Sequence, residues 1–228
     1  MHPITKRSDI ICRMKRVYIF LNGSGTHLEH IQFDDNALII CADGGAKHAL
    51  GLGIPPDIVI GDLDSIDART LSILETQSVK IIRHPREKDE TDSQLAVQYA
   101  VDHGYNDLVI VGLLGDRIDH LSANLMYLCD LSKNHTITVI EGQQETRFVH
   151  DHLSIFGTKG DEVSLIPFKN DVSGIVTEGL AYQLKDETLP FGATRGVSNV
   201  MTASRAEMHI RNGVLMVVHR KRFFKNLK

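Results

Sequence analysis

The chain has 228 residues and a formal net charge of −4 with basic and acidic side chains mixed along it, which leaves no extended positive field for nucleic acid. One large domain or two modest ones fit this length, and either buries a real core. Cys12, Cys41 and Cys129 form no CxxC pair, so neither a disulfide framework nor a zinc site is expected. Met1 to Arg16 has no apolar stretch suited to a signal peptide, and no apolar run reaches the ~18 residues of a membrane span. A soluble, cytoplasmic protein without a membrane partner is the expectation.

Lys6, Arg7, Arg13, Lys15 and Arg16 at the start, with Arg220, Lys221, Arg222, Lys225 and Lys228 at the end, predict solvated basic tails over 1–16 and 223–228. Val17 to Leu21 is a β-rich run ending on the turn residues Asn22-Gly23-Ser24-Gly25, and Ala37 to Ala42 is a second ending on Asp43-Gly44-Gly45. A short helix over 46–52 stops at Gly51 and Gly53, before Pro55-Pro56. Further strands follow at Ile58 to Ile60, Val79 to Ile82 and Leu108 to Val111. Leu95, Ala96, Tyr99 and Ala100 recur at helical spacing from Asp92 to His103, and Leu121, Leu125 and Leu128 do so after Asp119.

Near-continuous apolar strands alternating with helices predict a mostly parallel, Rossmann-like α/β sheet covered on both faces. After Thr136 to Ile140 the pattern changes. Short β-like runs at 163–166, 174–177, 207–210 and 214–218, separated by Gly, Asn and Pro, predict a C-terminal antiparallel β-sandwich. The boundary falls near Glu141-Gly142-Gln143-Gln144, giving domains over 17–142 and 143–222.

Four acidic or glycine-rich clusters follow the strands of the first half: Ala42-Asp43-Gly44-Gly45, Gly61-Asp62-Leu63-Asp64-Ser65, Lys88-Asp89-Glu90-Thr91-Asp92, and Gly112 to His120. Ligands of open α/β sheets sit beyond the carboxyl ends of the strands. Aspartates gathered there, with one lysine and one arginine, suit a magnesium-bound polyphosphate. At a strand end, period-two geometry lets Asp62 and Asp64 point the same way as hard oxygen ligands, whereas the bland alternative is an Asx-type turn. Thr91 and Gln94 fit a capping box, which leaves Lys88, Asp89 and Asp92 to be explained by phosphate at a helix N-terminus. Gly112-x-x-Gly115 allows close backbone approach, and Asp119 is placed to cap the helix that follows. Neither G-x-x-x-x-G-K-[ST] nor G-x-G-x-x-G occurs, disfavouring Walker-type and ordinary dinucleotide sites. Gly157 to Asp161 is the turn before a strand, and no G-x-S-x-G elbow surrounds Ser24 or Ser65.

Taken in order, these motifs, with Pro56-Asp57, Asn124, Glu178-Gly179-Leu180-x-Tyr182-x-Leu184 and Gly196-Val197-Ser198-Asn199, resemble the thiamin pyrophosphokinase family, whose members move pyrophosphate from ATP to thiamin and release AMP. The resemblance implies a homodimer of two-domain subunits using ATP and Mg²⁺. It implies Asp62, Asp64 and Asp92 as metal ligands and Asp43, Gly44, Gly45, Lys88, Asp89, Thr91, Gly115, Arg117 and His120 around the nucleotide. Asp119, with Asp92, takes the catalytic role near the reacting hydroxyl. Asn124, and Ser198 and Asn199 contributed across the dimer, meet thiamin. Some members stack a tryptophan on the thiamin ring from the last strand; this chain has none, and Leu215 or Met216 takes that place. Readings that keep the clusters but change the outcome are pyrophosphoryl transfer to another heterocyclic alcohol such as a hydroxymethylpterin, a metal-dependent phosphohydrolase, and a non-catalytic nucleotide or thiamin sensor.

Overall fold

The computed structural model describes residues 16–24, 28, 31, 33–34 and 37–222. Cys12, Lys6, Arg7, Arg13, Lys15, Lys225 and Lys228 lie outside these residues. Strands β1 (Arg16–Phe20), β2 (Leu38–Ala42), β3 (Ile58–Gly61), β4 (Lys80–Arg83), β5 (Asp107–Val111) and β6 (Thr136–Glu141) pair in parallel in the order β6-β5-β1-β2-β3-β4. Strand alternation decides which helices each face receives. Val17, Ile19, Ile40 and Ile110 pack with Ala96, Val97, Ala100 and Leu128 of α3 (Asp92–Asp102) and α4 (Ile118–Leu131). Tyr18, Phe20, Cys41 and Val59 pack on the opposite face with Ala46, Ala49 and Leu74 of α1 (Gly45–Gly51) and α2 (Ala68–Thr76). The inner strands β1, β2, β3 and β5 are buried on both faces, which is why their only charged residues are Arg16 and Asp107 at the strand starts, whereas edge strand β4 begins and ends on exposed Lys80 and Arg83. The chain steps from β1 out to β4, then returns through α3 to β5 on the other side of β1, so the winding reverses between β1 and β5.

The same sheet continues into the second half. β6 turns through Gly142 (φ +54°) into antiparallel β7 (Gln144–Val149), and β14 (Leu215–Arg220), β9 (Glu162–Pro167) and β12 (Asn199–Val200) extend it to ten strands. A second sheet of β11 (Lys185–Leu189), β10 (Val172–Glu178), β13 (Arg205–His209) and β8 (His152–Phe156) covers this end. Val149, Val163, Leu165, Leu215 and Val217 meet Ile155, Ile175, Leu189 and Met208 between the two sheets. The expected α/β plus antiparallel sandwich architecture is what the chain forms. No helix among the described residues is long and apolar enough to cross a membrane.

Several elements differ from the sequence expectation. The sequence reading passes over α2, whose buried residues reduce to Thr70 and Leu74; its start is set by Asp67, whose Oδ1 accepts from the Thr70 amide at 2.8 Å. Arg16 is not tail but the first residue of β1, donating to Asp107 at 2.7 Å. Asp119 does not cap α4: Arg117 occupies that position and Asp119 lies in the first turn. Gly157 to Asp161 is a turn as expected, closed by Asp161, whose Oδ2 accepts from the Thr158 amide at 2.9 Å.

Candidate active site

The β1–β5 reversal opens a cleft of about 610 Å³ at the carboxyl ends of the strands, lined by Leu21 to Gly23, Asp43, Asp62, Lys88, Asp92, Gly112, Leu113 and Arg117 among others. This is where an open α/β sheet receives its ligand. Three aspartates converge on one wall. Asp43 follows β2 at φ +43°, Asp62 follows β3, and Asp92 opens α3. Side-chain oxygens of all three lie within 4.8 Å of one another. Register explains the meeting: Ala42 pairs with Ile60, and the Asp43 amide donates to the Ile60 carbonyl at 2.9 Å, which sets Asp43 beside Gly61 and Asp62. Gly61 completes the arrangement, since a Cβ there would stand 3.0 Å from the Asp43 Cβ and 3.1 Å from Asp92 Oδ1.

The electrostatics of the cluster fit a cation. Asp43 is 5% exposed; burial raises its carboxyl above the ordinary value, the Ser65 hydrogen bonds oppose this, and the Asp92 charge adds to the rise. Asp43 Oδ1 and Asp92 Oδ1 are buried without a hydrogen-bond partner. Buried carboxylate oxygens left without donors are costly unless a positive charge satisfies them. Lys88 Nζ stands 3.0 Å from Asp92 Oδ1 outside hydrogen-bonding geometry and donates instead to the Pro85 carbonyl. Hard oxygen donors of this kind suit Mg²⁺.

Asp64 takes a different direction. β3 ends at Gly61, and Leu63 adopts φ +67° with its side chain buried, so extended period-two geometry does not carry through to Asp64. The Asp64 amide instead donates to Asp62 Oδ1 at 3.0 Å, an Asx-type turn, and the Asp64 carboxylate faces Arg86 at 3.6 Å on the cleft rim.

Thr91 is the N-cap of α3, its Oγ1 accepting from the Gln94 amide at 3.1 Å, and it lines the cleft together with Asp89. Gly115 and Arg117 line the cleft from the β5–α4 connection and His120 from the first turn of α4, and Asn124, 8% exposed, lies on its wall. Gly44 and Gly45 begin α1; a Cβ at Gly44 would fall 2.3 Å from Asn22 Oδ1, so the glycine lets the β1 and β2 loops close on each other. Asp119 is held by Arg117 through two hydrogen bonds of 2.9 and 2.5 Å, which keep its carboxyl well below the usual range.

Neither Ser198 nor Asn199 lines this cleft within the chain. Asn199 borders a second cavity of about 290 Å³ in the sandwich, with Tyr182, Arg195 and Val197. Its side chain is buried and fully engaged: Oδ1 accepts from the Tyr182 amide at 3.0 Å and Nδ2 donates to the Tyr182 carbonyl at 2.7 Å. Asn22, Asp116 and Glu90 also line the cleft. The sequence offered only turn chemistry at Asn22 and a charge next to Arg117 at Asp116, neither sufficient to single them out.

Residues 30–140 match the family described as thiamin pyrophosphokinase, catalytic domain, and residues 134–215 match thiamin pyrophosphokinase, vitamin B1 binding domain. The chain belongs to the thiamin pyrophosphokinase family. It is 28% identical over 195 residues to a thiamine pyrophosphokinase of Bacillus subtilis, covering 81% of this chain and 88% of that one. A thiamine pyrophosphokinase of Arabidopsis thaliana is 24% identical over 221 residues, 85% of this chain and 82% of the relative. Among solved structures, a Bacillus subtilis thiamine pyrophosphokinase superposes with a TM-score of 0.82 at 25% identity, over 92% of this chain and all of the other. A Geobacillus thermodenitrificans family structure, at 22% identity and TM-score 0.80, shares the fold over 92% of this chain and 99% of its own. Both halves of the family pattern are therefore present in one chain, and apart from Leu21, Asn22 and Gly23 the cleft lining falls within the residues matched by the catalytic domain.

Proposed function

We propose that this enzyme transfers the terminal pyrophosphate of ATP to the hydroxyethyl oxygen of thiamin, giving thiamin diphosphate and AMP. The observation that carries the reading is the convergence of Asp43, Asp62 and Asp92, with Asp43 Oδ1 buried without a partner and Asp92 Oδ1 met only by the Lys88 charge, at the winding reversal of a chain from this family. Asp43, Asp62 and Asp92 would hold Mg²⁺, with Asp64 as the additional carboxylate on the rim. The ion would neutralise phosphate charge and make the β-phosphorus more electrophilic. Lys88 adds a positive charge beside Asp92, the first amides of α3 present donors to phosphate oxygens, and Arg117, whose Nε and one Nη are engaged by Asp119, would add charge and its remaining Nη donors.

The thiamin hydroxyl oxygen bonds to the β-phosphorus while the bond from that phosphorus to the α–β bridging oxygen breaks. AMP leaves with that oxygen, and the hydroxyl proton passes to solvent or to a carboxylate; Asp119, paired with Arg117 and outside the cleft lining, would have to leave that pair to receive it. Little covalent chemistry is asked of the protein, which agrees with the absence of a nucleophile elbow and with the burial of Cys41, whose thiol is raised by burial.

Homodimerisation belongs to the same reading. Tyr182, Phe191 and Val197 are large apolar side chains left exposed on the sandwich, around and beside the second cavity, and Ser198 and Asn199 stand apart from their own cleft. A second subunit would bring this surface to the acceptor end of the cleft. Buried, unpaired Cys41 and Cys129 fit a reducing cytoplasm. Product analysis of the purified protein with ATP, Mg²⁺ and thiamin tests the function. AMP and thiamin diphosphate in equal amounts support it, and ADP formation or thiamin-independent phosphate release refutes it.

A further inference from the structure

Glu141 is a buried carboxylate that no motif of the site accounts for. It ends β6 and is 8% exposed. Val111 pairs with Ile140 in the parallel β5–β6 register, so Glu141 comes out beside the start of the β5–α4 loop. Its Oε1 accepts from the Leu114 amide at 2.7 Å. Burial raises the Glu141 carboxyl above its ordinary value, and the Leu114 and Leu113 amides pull it part of the way back. No cation pairs with it among the described residues. A carboxylate buried in this way is costly, and fixing the backbone of one loop is the visible return.

The loop it fixes is a wall of the cleft. Leu113, Gly115, Asp116 and Arg117 line the cavity. Leu114 does not end the chain of contacts: its carbonyl accepts from the Ser24 amide at 2.5 Å, and the Gly112 carbonyl accepts from the Gly23 amide at 3.0 Å. The approach is close enough that a Cβ on Gly23 would fall 2.3 Å from both the Gly112 and Leu114 carbonyl oxygens. A single residue, with Leu114 N–H on Glu141 and Leu114 C=O on Ser24, therefore joins β6 to the loops after β5 and β1, the two loops that flank the winding reversal.

We propose that Glu141 is a positioning residue for the nucleotide: through the backbone N–H and C=O of Leu114 it sets the β1 and β5 loops in the conformation that receives the polyphosphate, without touching it. The inference rests on reading the cleft as the nucleotide site. Glu141 acts on the geometry of Gly115 and Arg117 and not on the acceptor end. Its removal weakens nucleotide binding selectively.

Glu141→Gln keeps a carbonyl acceptor for the Leu114 amide, while Glu141→Leu removes the acceptor and keeps the site filled. The Leu variant should raise the KM for Mg-ATP by about tenfold, the scale of one lost buried hydrogen bond. Its thiamin KM should stay unchanged and its kcat should change less than its KM for Mg-ATP, while the Gln variant stays close to wild type. Amide hydrogen exchange on the ligand-free proteins separates this inference from the functional reading. Leu114 and Ser24 should be protected in wild type and Glu141→Gln and unprotected in Glu141→Leu, whatever the protein turns over. If Glu141→Leu does not fold, wild-type exchange still decides: a Leu114 amide exchanging as fast as that of Gly115 overturns the proposal. A Leu variant with wild-type KM for Mg-ATP overturns it too, as does an equal loss in the Gln variant. Failure of wild type to bind ATP, with the exchange pattern as expected, would instead strike the reading of the cleft.

Discussion

Replacing Gly61 by alanine adds one methyl group at the centre of the acidic cluster. Gly61 has φ +153°, a conformation that L side chains rarely adopt, and holding a residue in such a region costs about 1–3 kcal/mol. For a chain of this size each kcal/mol shifts the melting midpoint by about 2–4 °C, so Gly61→Ala should melt about 2–12 °C lower than wild type. The second effect is geometric. The new methyl would press on the Asp43 Cβ at 3.0 Å and on Asp92 Oδ1 at 3.1 Å, so both carboxylates must shift by a few tenths of an ångström. Misplacement of catalytic groups by about 1 Å costs roughly a hundredfold, and this smaller displacement should lower kcat/KM by about tenfold, with a higher Mg²⁺ concentration needed for half-maximal rate. Melting followed by circular dichroism and a Mg²⁺ titration of the steady-state rate are the assays. A variant with wild-type Mg²⁺ dependence would show that Asp43 and Asp92 do not act together on the ion.

Other consequences follow from the same geometry. Asp62→Asn and Asp92→Asn should each cut turnover by a hundredfold or more, on the order expected for loss of a charge-stabilising group. Their ligand-free melting midpoints should be unchanged or higher, because a clustered negative charge is removed; a collapse in midpoint would make these residues structural. Leu215 is fully buried between the sheets and Met216 is half-buried on the other face of β14. Leu215→Trp should therefore destabilise by about 1–3 kcal/mol through overpacking, whereas Met216→Trp should fold normally, as chemical denaturation of both variants would show. Burial pushes the Asp161 carboxyl up, but the Arg222 and Thr158 amides and His219 outweigh it and leave the value lowered. A lowered folded value means its stabilisation is complete above about pH 4, the unfolded carboxyl value, and is lost as pH falls from there through the folded value. Asp161→Asn should flatten the decline of the midpoint below pH 4; an unchanged acid limb would remove Asp161 from the account.

The parallel half of the fold was legible because its strands are buried on both faces and its helices begin with recognisable chemistry, Thr91 capping α3 as the sequence suggested. The sandwich was legible in outline only. β7 is Gln-Glu-Thr-Arg-Phe-Val with just Val149 buried, and β11 is Lys-Asp-Glu-Thr-Leu with just Leu189 buried, so neither carries an apolar period strong enough to announce a strand. α2 was hidden for the same reason. Within the site, the family resemblance grouped Asp62, Asp64 and Asp92; the structure brings Asp62 and Asp92 within 4.8 Å together with Asp43, and nothing in the sequence hinted that Leu63 would take φ +67° and turn Asp64 towards Arg86. The nearness of Asp43 depends on the β2–β3 register, which no local pattern encodes. Glu141 was silent because a single acid at a strand end looks like a solvated turn until the β5 loop is seen folded over it.

Anomalous scattering from Mn²⁺ in crystals grown with a non-hydrolysable ATP analogue tests the central claim most directly. The account predicts an ion bonded to carboxylate oxygens of Asp62, Asp92 and Asp43, with the analogue's phosphates lying between α3 and the β5–α4 loop. An ion bound elsewhere, or phosphates outside the cleft between β1 and β5, would contradict it.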